Sequence, residues 1–354
     1  MRTKTHGVVV VHGQGDNQIR GAQLAAIVNP VVDLLREAGN AVSFAFDGDA
    51  RPPVATIDLR RPATDPESDE PDHHVFKLRE AFWGDAFPPP SAEEVTRWAL
   101  SGLGAQIEGV RRGWWDTPTT AQKVPWYLNW WYRAMLVVLT PVLMALSVLT
   151  FLVLRPLAWF IYTLARTPGV GLFGVTERIA QAVASLDPFL SRTLGDAERF
   201  VTDGAWAANV RDRVEDEVCA LLEDETIEDI VLIGYSAGAT VCYDALLEDR
   251  RVPRLARELA GRGRVTPIRL MTIGSGLFHM WSFSHMDRSH VAERKRLSVG
   301  RLDKFITGVD GPEPDFPFWT DVFARFDYVA AGPIRPQIAD RSALSEGVHY
   351  RSTA

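Results

Sequence analysis

The sequence predicts an α/β protein with a doubly wound, mostly parallel sheet carrying helices on both faces. Three observations predict it. Short β-branched runs recur along the chain, helical patterns separate them, and one strand–turn–helix junction carries a Gly-x-Ser-x-Gly pentapeptide. The 354 residues are 46% hydrophobic and 23% charged, enough for one large core or two ordinary ones, which excludes a disordered or collagen-like chain. With 38 Lys+Arg against 45 Asp+Glu the formal net charge is −7, the wrong balance for a generally basic nucleic-acid binder. Cys219 and Cys242 are the only cysteines and show no metal-ligand spacing, so neither a disulfide framework nor a structural zinc site is expected, and a reducing compartment fits.

The elements follow in order. Val8–Val11 is a continuous β-branched run ended by His12-Gly13, which suits a buried parallel strand. The run is too short for the apolar core of a secretion signal, so export by that route is not expected. A Gly/Asp/Asn loop over 13–17 leads to a helix over 22–38, which Gly39-Asn40 can end. Strand-like runs come next at 41–46 and 54–59, then a Pro/Asp/Glu-rich loop over 60–72 and a strand over 75–83. Pro88, Pro89 and Pro90 precede a helix whose Ser91 and Glu94 have capping-box spacing. Further on, 196–224 is a charged helical region, 230–233 a strand, 237–247 a helix, and 268–273 and 322–329 are strands. His73 and His74 are adjacent and read as a solvated pair, since neighbours in a strand point apart, so no metal site is expected there.

One stretch breaks the alternation. Ala134–Leu154 holds no charged residue over 21 positions, and as a helix it would run about 32 Å, close to the thickness of a bilayer's hydrocarbon region. Trp126, Tyr127, Trp130, Trp131 and Tyr132 precede it, and Trp159, Phe160 and Tyr162 follow, as in the aromatic belts of membrane interfaces. A single crossing would put half the sheet on each side of the bilayer. A re-entrant hairpin or an interfacial anchor is therefore expected, with Pro141 and Arg155-Pro156 as natural breaks; a lid or a buried helix is the alternative. The chain divides into a first part of the α/β core (1–120), a hydrophobic helical insertion (121–178) and a second part of the core (179–354).

The chemistry is predicted at Gly234-Tyr235-Ser236-Ala237-Gly238. The apolar run 230–233 leads in and a small-residue helix leads out, the context that a nucleophile elbow requires. Small neighbours let the chain pass a strained turn that holds Ser236 at a helix N-terminus, where the dipole and free N–H groups favour a developing oxyanion. The loop His12-Gly13-Gln14-Gly15 after the first strand supplies the second donor: the backbone N–H groups of Gln14 and Ala237 form the expected oxyanion hole. His12 itself is read as structural.

On these two motifs the chain resembles the α/β-hydrolases of the serine esterase/lipase type, over about residues 5–120 and 180–354, with the apolar insertion unmatched. The resemblance implies the α/β-hydrolase fold and a triad in the order Ser, acid, His. Ser236 is the nucleophile. Asp327, near the end of the last strand-like run, is the favoured acid over Asp303, Asp310, Asp315 and Asp321, each of which reads by default as a solvated loop carboxylate. His349, the last histidine, is the expected base, with His285 or His290 as the fallback and His279 the remaining candidate. No metal or organic cofactor is needed. The expected activity is cleavage of a carboxylic ester, of lipid or another apolar acyl type, by a membrane-associated protein on the cytoplasmic side, with no nucleic-acid partner. A catalytically inactive scaffold using the anchor for recruitment, and an acyltransferase using the same triad, are the other readings.

Overall fold

In a computed structural model of the chain, the structure describes residues 3–13, 19–61, 72–85, 134, 200, 203–275, 277, 302–307, 318–324 and 348–353. The insertion 121–178, apart from Ala134, lies outside them, and so does the capped helix expected from Ser91. Among the described residues no helix is long and apolar enough to cross a membrane.

The elements are β1 (Thr3–Val11), α1 (Ala22–Glu37), β2 (Ala41–Asp47), β3 (Val54–Arg61), β4 (Asp72–Glu80), α2 (Gly204–Glu223), β5 (Asp229–Tyr235), α3 (Ala237–Ala245), α4 (Arg251–Gly261), β6 (Ile268–Ile273), α5 (Lys304–Thr307), β7 (Trp319–Ala324) and β8 (Val348–Thr353). The strands form one eight-stranded sheet in the order β2-β3-β4-β1-β5-β6-β7-β8. From β4 to β8 every pairing is parallel; β3 runs antiparallel to both β2 and β4. The chain forms the mostly parallel α/β sheet that was predicted, with an antiparallel edge, β2-β3-β4, that was not.

The valine run explains why β1 lies at the centre. Its side chains alternate faces, and both faces are covered. Val8 and Val10 join Leu24, Val28 and Val32 of α1 with Ala55, Ile57 and Leu78. Val9 and Val11 join the larger cluster under α2, α3 and α4. In α2 the buried residues Trp206, Val210, Val214 and Val218 recur every four positions, and Asp203 caps the helix by accepting from the N–H groups of Ala205 and Trp206.

Several elements differ from expectation: the strand expected over 322–329 is β7, Trp319–Ala324. β4 begins at Asp72 and ends at Glu80: Ala81 N–H still bonds Val10 O of β1, but Phe82 N–H turns back to Glu80 O. β8 takes in His349, and α4 is an additional helix. Nor are His73 and His74 a solvated pair. They lie in β4, His73 bonding Thr3 and lying 3.0 Å from Asp58, and His74 bonding His6 on the other side.

Candidate active site

The site forms where β5 ends. Ser236 has φ 53 and ψ −119, the only positive φ at a non-glycine among the described residues, and it stands at the N-cap of α3 without capping through its side chain. A side chain forced into this region costs about 1–3 kcal/mol, which the surroundings must offset. They do so by close packing. A Cβ on Gly238 would run into the backbone oxygens of Val11 and His12, so only glycine lets α3 start against the end of β1. A Cβ on Gly13 would lie 2.7 Å from Ser236 Cβ and 3.3 Å from its Oγ. The loop after β1 therefore abuts the serine. Ser236 N–H bonds Ile273 O at 2.9 Å, tying the turn to the end of β6. Ser236 is half-buried, Ala237 is buried, and Tyr235 stands 45% exposed beside them.

His12 is 2% exposed and both of its ring nitrogens are engaged. Nδ1–H donates to Gly13 O at 2.8 Å, and Nε2 accepts from the Trp83 backbone N–H at 3.1 Å. The Trp83 indole N–H donates to His12 O, and the two rings stack at 4.7 Å. Burial drives the His12 pKa down to about 4, although the bond to Gly13 and the charge of Asp85 work the other way. A neutral imidazole with no free nitrogen cannot take a proton from Ser236; it ties His12 and Gly13 to Trp83 instead.

The remaining predicted residues fall less favourably. Gln14, Asp327, His279, His285 and His290 lie outside the described residues. The backbone of His349 is on β8 opposite Thr320, in the row that passes through Met271 and Ile233. β8 is the third strand from β5, so about 14 Å of sheet separates the two backbones.

Two of the rival acids are not the solvated loop carboxylates they were expected to be. Asp321 is 1% exposed on β7 and accepts from Thr272 Oγ1 at 2.6 Å, while Trp319 Nε1–H donates to the same hydroxyl at 3.0 Å. Asp303 is buried, pairs with Arg257 and accepts from Ile306 N–H. Burial explains both departures, because a carboxylate out of water must find donors.

Sequence reasoning missed Trp83, which bonds His12, Arg20 and Asp85, which pair with each other, and Glu80, which is buried at the end of β4. Asp85 is held below the usual carboxylate range: burial opposes its charge, but Arg213 and Arg20 outweigh it. Among the described residues no group of three or more His, Cys, Asp or Glu side chains is placed to hold a metal. Both cysteines are free and buried, and burial pushes the Cys219 thiol up to about 11 and Cys242 up as well, so neither is a nucleophile at neutral pH. Comparison of the chain with family models, with curated proteins and with solved structures finds no match.

Proposed function

We propose that the protein is a serine hydrolase of the α/β-hydrolase type that cleaves carboxylic esters of lipids or other apolar acyl groups. One observation carries the reading: the strained Ser236, perched between β5 and α3 with the Gly13 loop packed on it. A scaffold has no need of such a serine, since the strain contributes nothing to folding.

In this mechanism a histidine takes the Ser236 proton as Oγ attacks the ester carbonyl, and an acid holds the imidazole and balances its charge. The N–H groups of Gln14 and Ala237 receive the developing oxyanion, helped by the N-terminal dipole of α3. The histidine returns the proton to the departing alcohol oxygen, and water, giving a proton to the same histidine, attacks the acyl-enzyme and releases the carboxylic acid while the proton returns to Ser236 Oγ. Asp327 and His349 are the proposed acid and base. In the register described, His349 would have to leave β8 to reach Ser236. His285 and His290 follow β6, whose last carbonyl already bonds the elbow, and they are the competing bases. The apolar segment within 121–178 is proposed to hold the site against the cytoplasmic side of a membrane, where such esters partition, or to cover it as a lid.

Labelling with a fluorophosphonate probe tests the nucleophile. The wild type is expected to label and Ser236→Ala not to; equal labelling removes Ser236 from the chemistry. Alanine variants of His349, His285 and His290 in the same assay identify the base. Product analysis with and without an added alcohol separates hydrolysis from acyl transfer.

A further inference from the structure

The two faces of β5, β6 and β7 are covered unequally. On one face Leu232, Leu270 and Trp319 are at most 1% exposed, packed in the large cluster with α2, α3 and α4. The other face carries Val231, Ile233 and Tyr235 of β5, Met271 and Ile273 of β6, and Val322 of β7. Tyr235 is exposed and the other five are half-buried. Topology explains the difference. The crossover from β1 to β2 and the crossover from β5 to β6 step in opposite directions along the sheet. Right-handed connections therefore put α1 on one face and α3 and α4 on the other. α1 packs on β2, β3 and β4, and its cluster reaches β5 only at Ile233. Parallel strands normally have both faces buried. Here an apolar lane is left half open.

The lane has a direction. Its upper end adjoins the serine: Tyr235 precedes Ser236, and the carbonyl of Ile273 accepts the Ser236 N–H at 2.9 Å. From Tyr235 through Ile233 to Val231 it runs about 13 Å down β5 without a charged side chain. Its lower end is charged, where Arg269, opposite Val231, approaches Asp229 at 3.4 Å. We propose that this face is the acyl-binding floor of the site: a medium-length acyl chain on Ser236 lies over Tyr235, Ile273, Ile233 and Met271 and ends short of Arg269. This rests on the serine hydrolase reading and adds where the apolar part of the ester goes. Continuity with Ser236 favours an acyl chain over a second copy of the protein. A strip that starts at a reactive hydroxyl, stays apolar and stops at a charged pair matches a substrate with one polar end and an unbranched apolar tail. Each methylene laid on it leaves water, and that gain is held in the transition state as well as in the bound ester.

The test measures kcat/KM on p-nitrophenyl octanoate and p-nitrophenyl acetate, both kept monomeric, for the full chain and for Met271→Gln and Val322→Thr. These variants keep the shape of the floor and make it polar. The wild-type octanoate-to-acetate ratio is expected to be about 100-fold, and to fall about 5- to 20-fold with Met271→Gln and less with Val322→Thr. A ratio within twofold of wild type in both variants overturns the proposal. If the sedimenting mass then falls, a second copy covers the face; if only the Tm falls, the protein's own chain does. Binding of a dansylated fatty acid to Ser236→Ala gives a readout that needs no turnover, and adding Met271→Gln is expected to weaken it at least about fivefold. Should the variants not fold, a diazirine fatty acid on Ser236→Ala is expected to crosslink to β5 or β6, and crosslinks confined to other segments overturn the lane. Failure of wild-type Ser236 to label with fluorophosphonate would strike the hydrolase reading instead, and leave fatty-acid binding and crosslinking to judge the lane.

Discussion

The two ends of the sheet use the same residue types for opposite ends. Where β1, β4 and β5 begin, His6 Nδ1–H donates to Asp229 at 2.7 Å and its Nε2 shares a hydrogen bond with His74 at 2.9 Å, while Arg269 approaches Asp229 at 3.4 Å. That is a histidine oriented by an acid, the inner half of a triad. Yet both ring nitrogens of His6 and the Asp229 carboxylate are engaged by these neighbours, and Ser236, the strained hydroxyl residue, stands at the opposite end of β5. Where the strands end, the serine is strained, glycines crowd it, and the nearby buried histidine has no free nitrogen. A His–Asp pair is therefore no sign of chemistry by itself. The strain and the helix N-terminus beside it mark the reactive end.

Substitutions at Ser236 break the contrast most sharply. Ser236→Ala is expected to lower ester hydrolysis by about 10⁴-fold or more. Ser236→Gly should be equally inactive but more stable than the wild type by about 1 kcal/mol, because glycine adopts φ 53 without strain. Urea denaturation checks the sign; a less stable glycine variant would mean that the turn is relaxed. Next in size is Gly238→Ala, whose methyl would meet backbone rather than a flexible side chain, with an expected loss of about 3 kcal/mol or more.

Much of the reactive end was legible because it is local. A β-branched run, a Gly-x-Ser-x-Gly turn and a small-residue helix lie within about twenty residues, and the structure forms strand, strained turn and helix there. Its supports were not. The apolar pattern of Ala81–Trp83 continues that of β4, so Glu80 read as mid-strand; only the hydrogen bond from Phe82 N–H back to Glu80 O shows the chain leaving the sheet. β8 escaped notice because Val348-His349-Tyr350-Arg351-Ser352-Thr353 carries no apolar run, as an edge strand need not. The burial of Asp321 and Asp303 depends on Thr272 and Arg257, 49 and 46 residues away, a separation that no local pattern records.

A subtler comparison sets His12, just after β1, against Glu80, at the end of β4. The His12 pKa falls from 6.5 to about 4, so the unfolded chain binds the extra proton in that window and stability rises with pH across it. The Glu80 pKa rises from 4.5 to about 7, so there the folded protein binds the extra proton and stability falls as pH rises. Each shift corresponds to on the order of 3 kcal/mol, and the two slopes oppose each other from about pH 4.5 to 6.5. Glu80→Gln should unmask the His12 slope, with stability climbing between pH 4 and 6.5. It should also raise the Tm at pH 8, where the wild type holds a buried charge. His12→Gln should unmask the reverse slope, superposed on the loss of its bonds to Trp83 and Gly13. Melts across pH check both, and parallel curves for the variants and wild type would refute the opposition.

The smallest effect is expected at the far end of the sheet, where the comparison can be tested for independence. Burial favours the neutral form of Asp229, but the hydrogen bond and charge of His6, with Arg269 and His74, hold its pKa below the usual carboxylate range. A depressed carboxylate contributes stability above its unfolded pKa and loses it as pH falls through the folded value. Asp229→Asn should therefore cost about 1–2 kcal/mol at pH 7 and progressively less in acid. Ser236 labelling should stay within twofold of wild type, since Asp229 and Tyr235 stand at opposite ends of β5, about 20 Å apart. Labelling that fell along with stability would mean that the two ends are coupled through β1 and β5. The satisfied histidine pair would then be part of what holds the elbow in its strained turn.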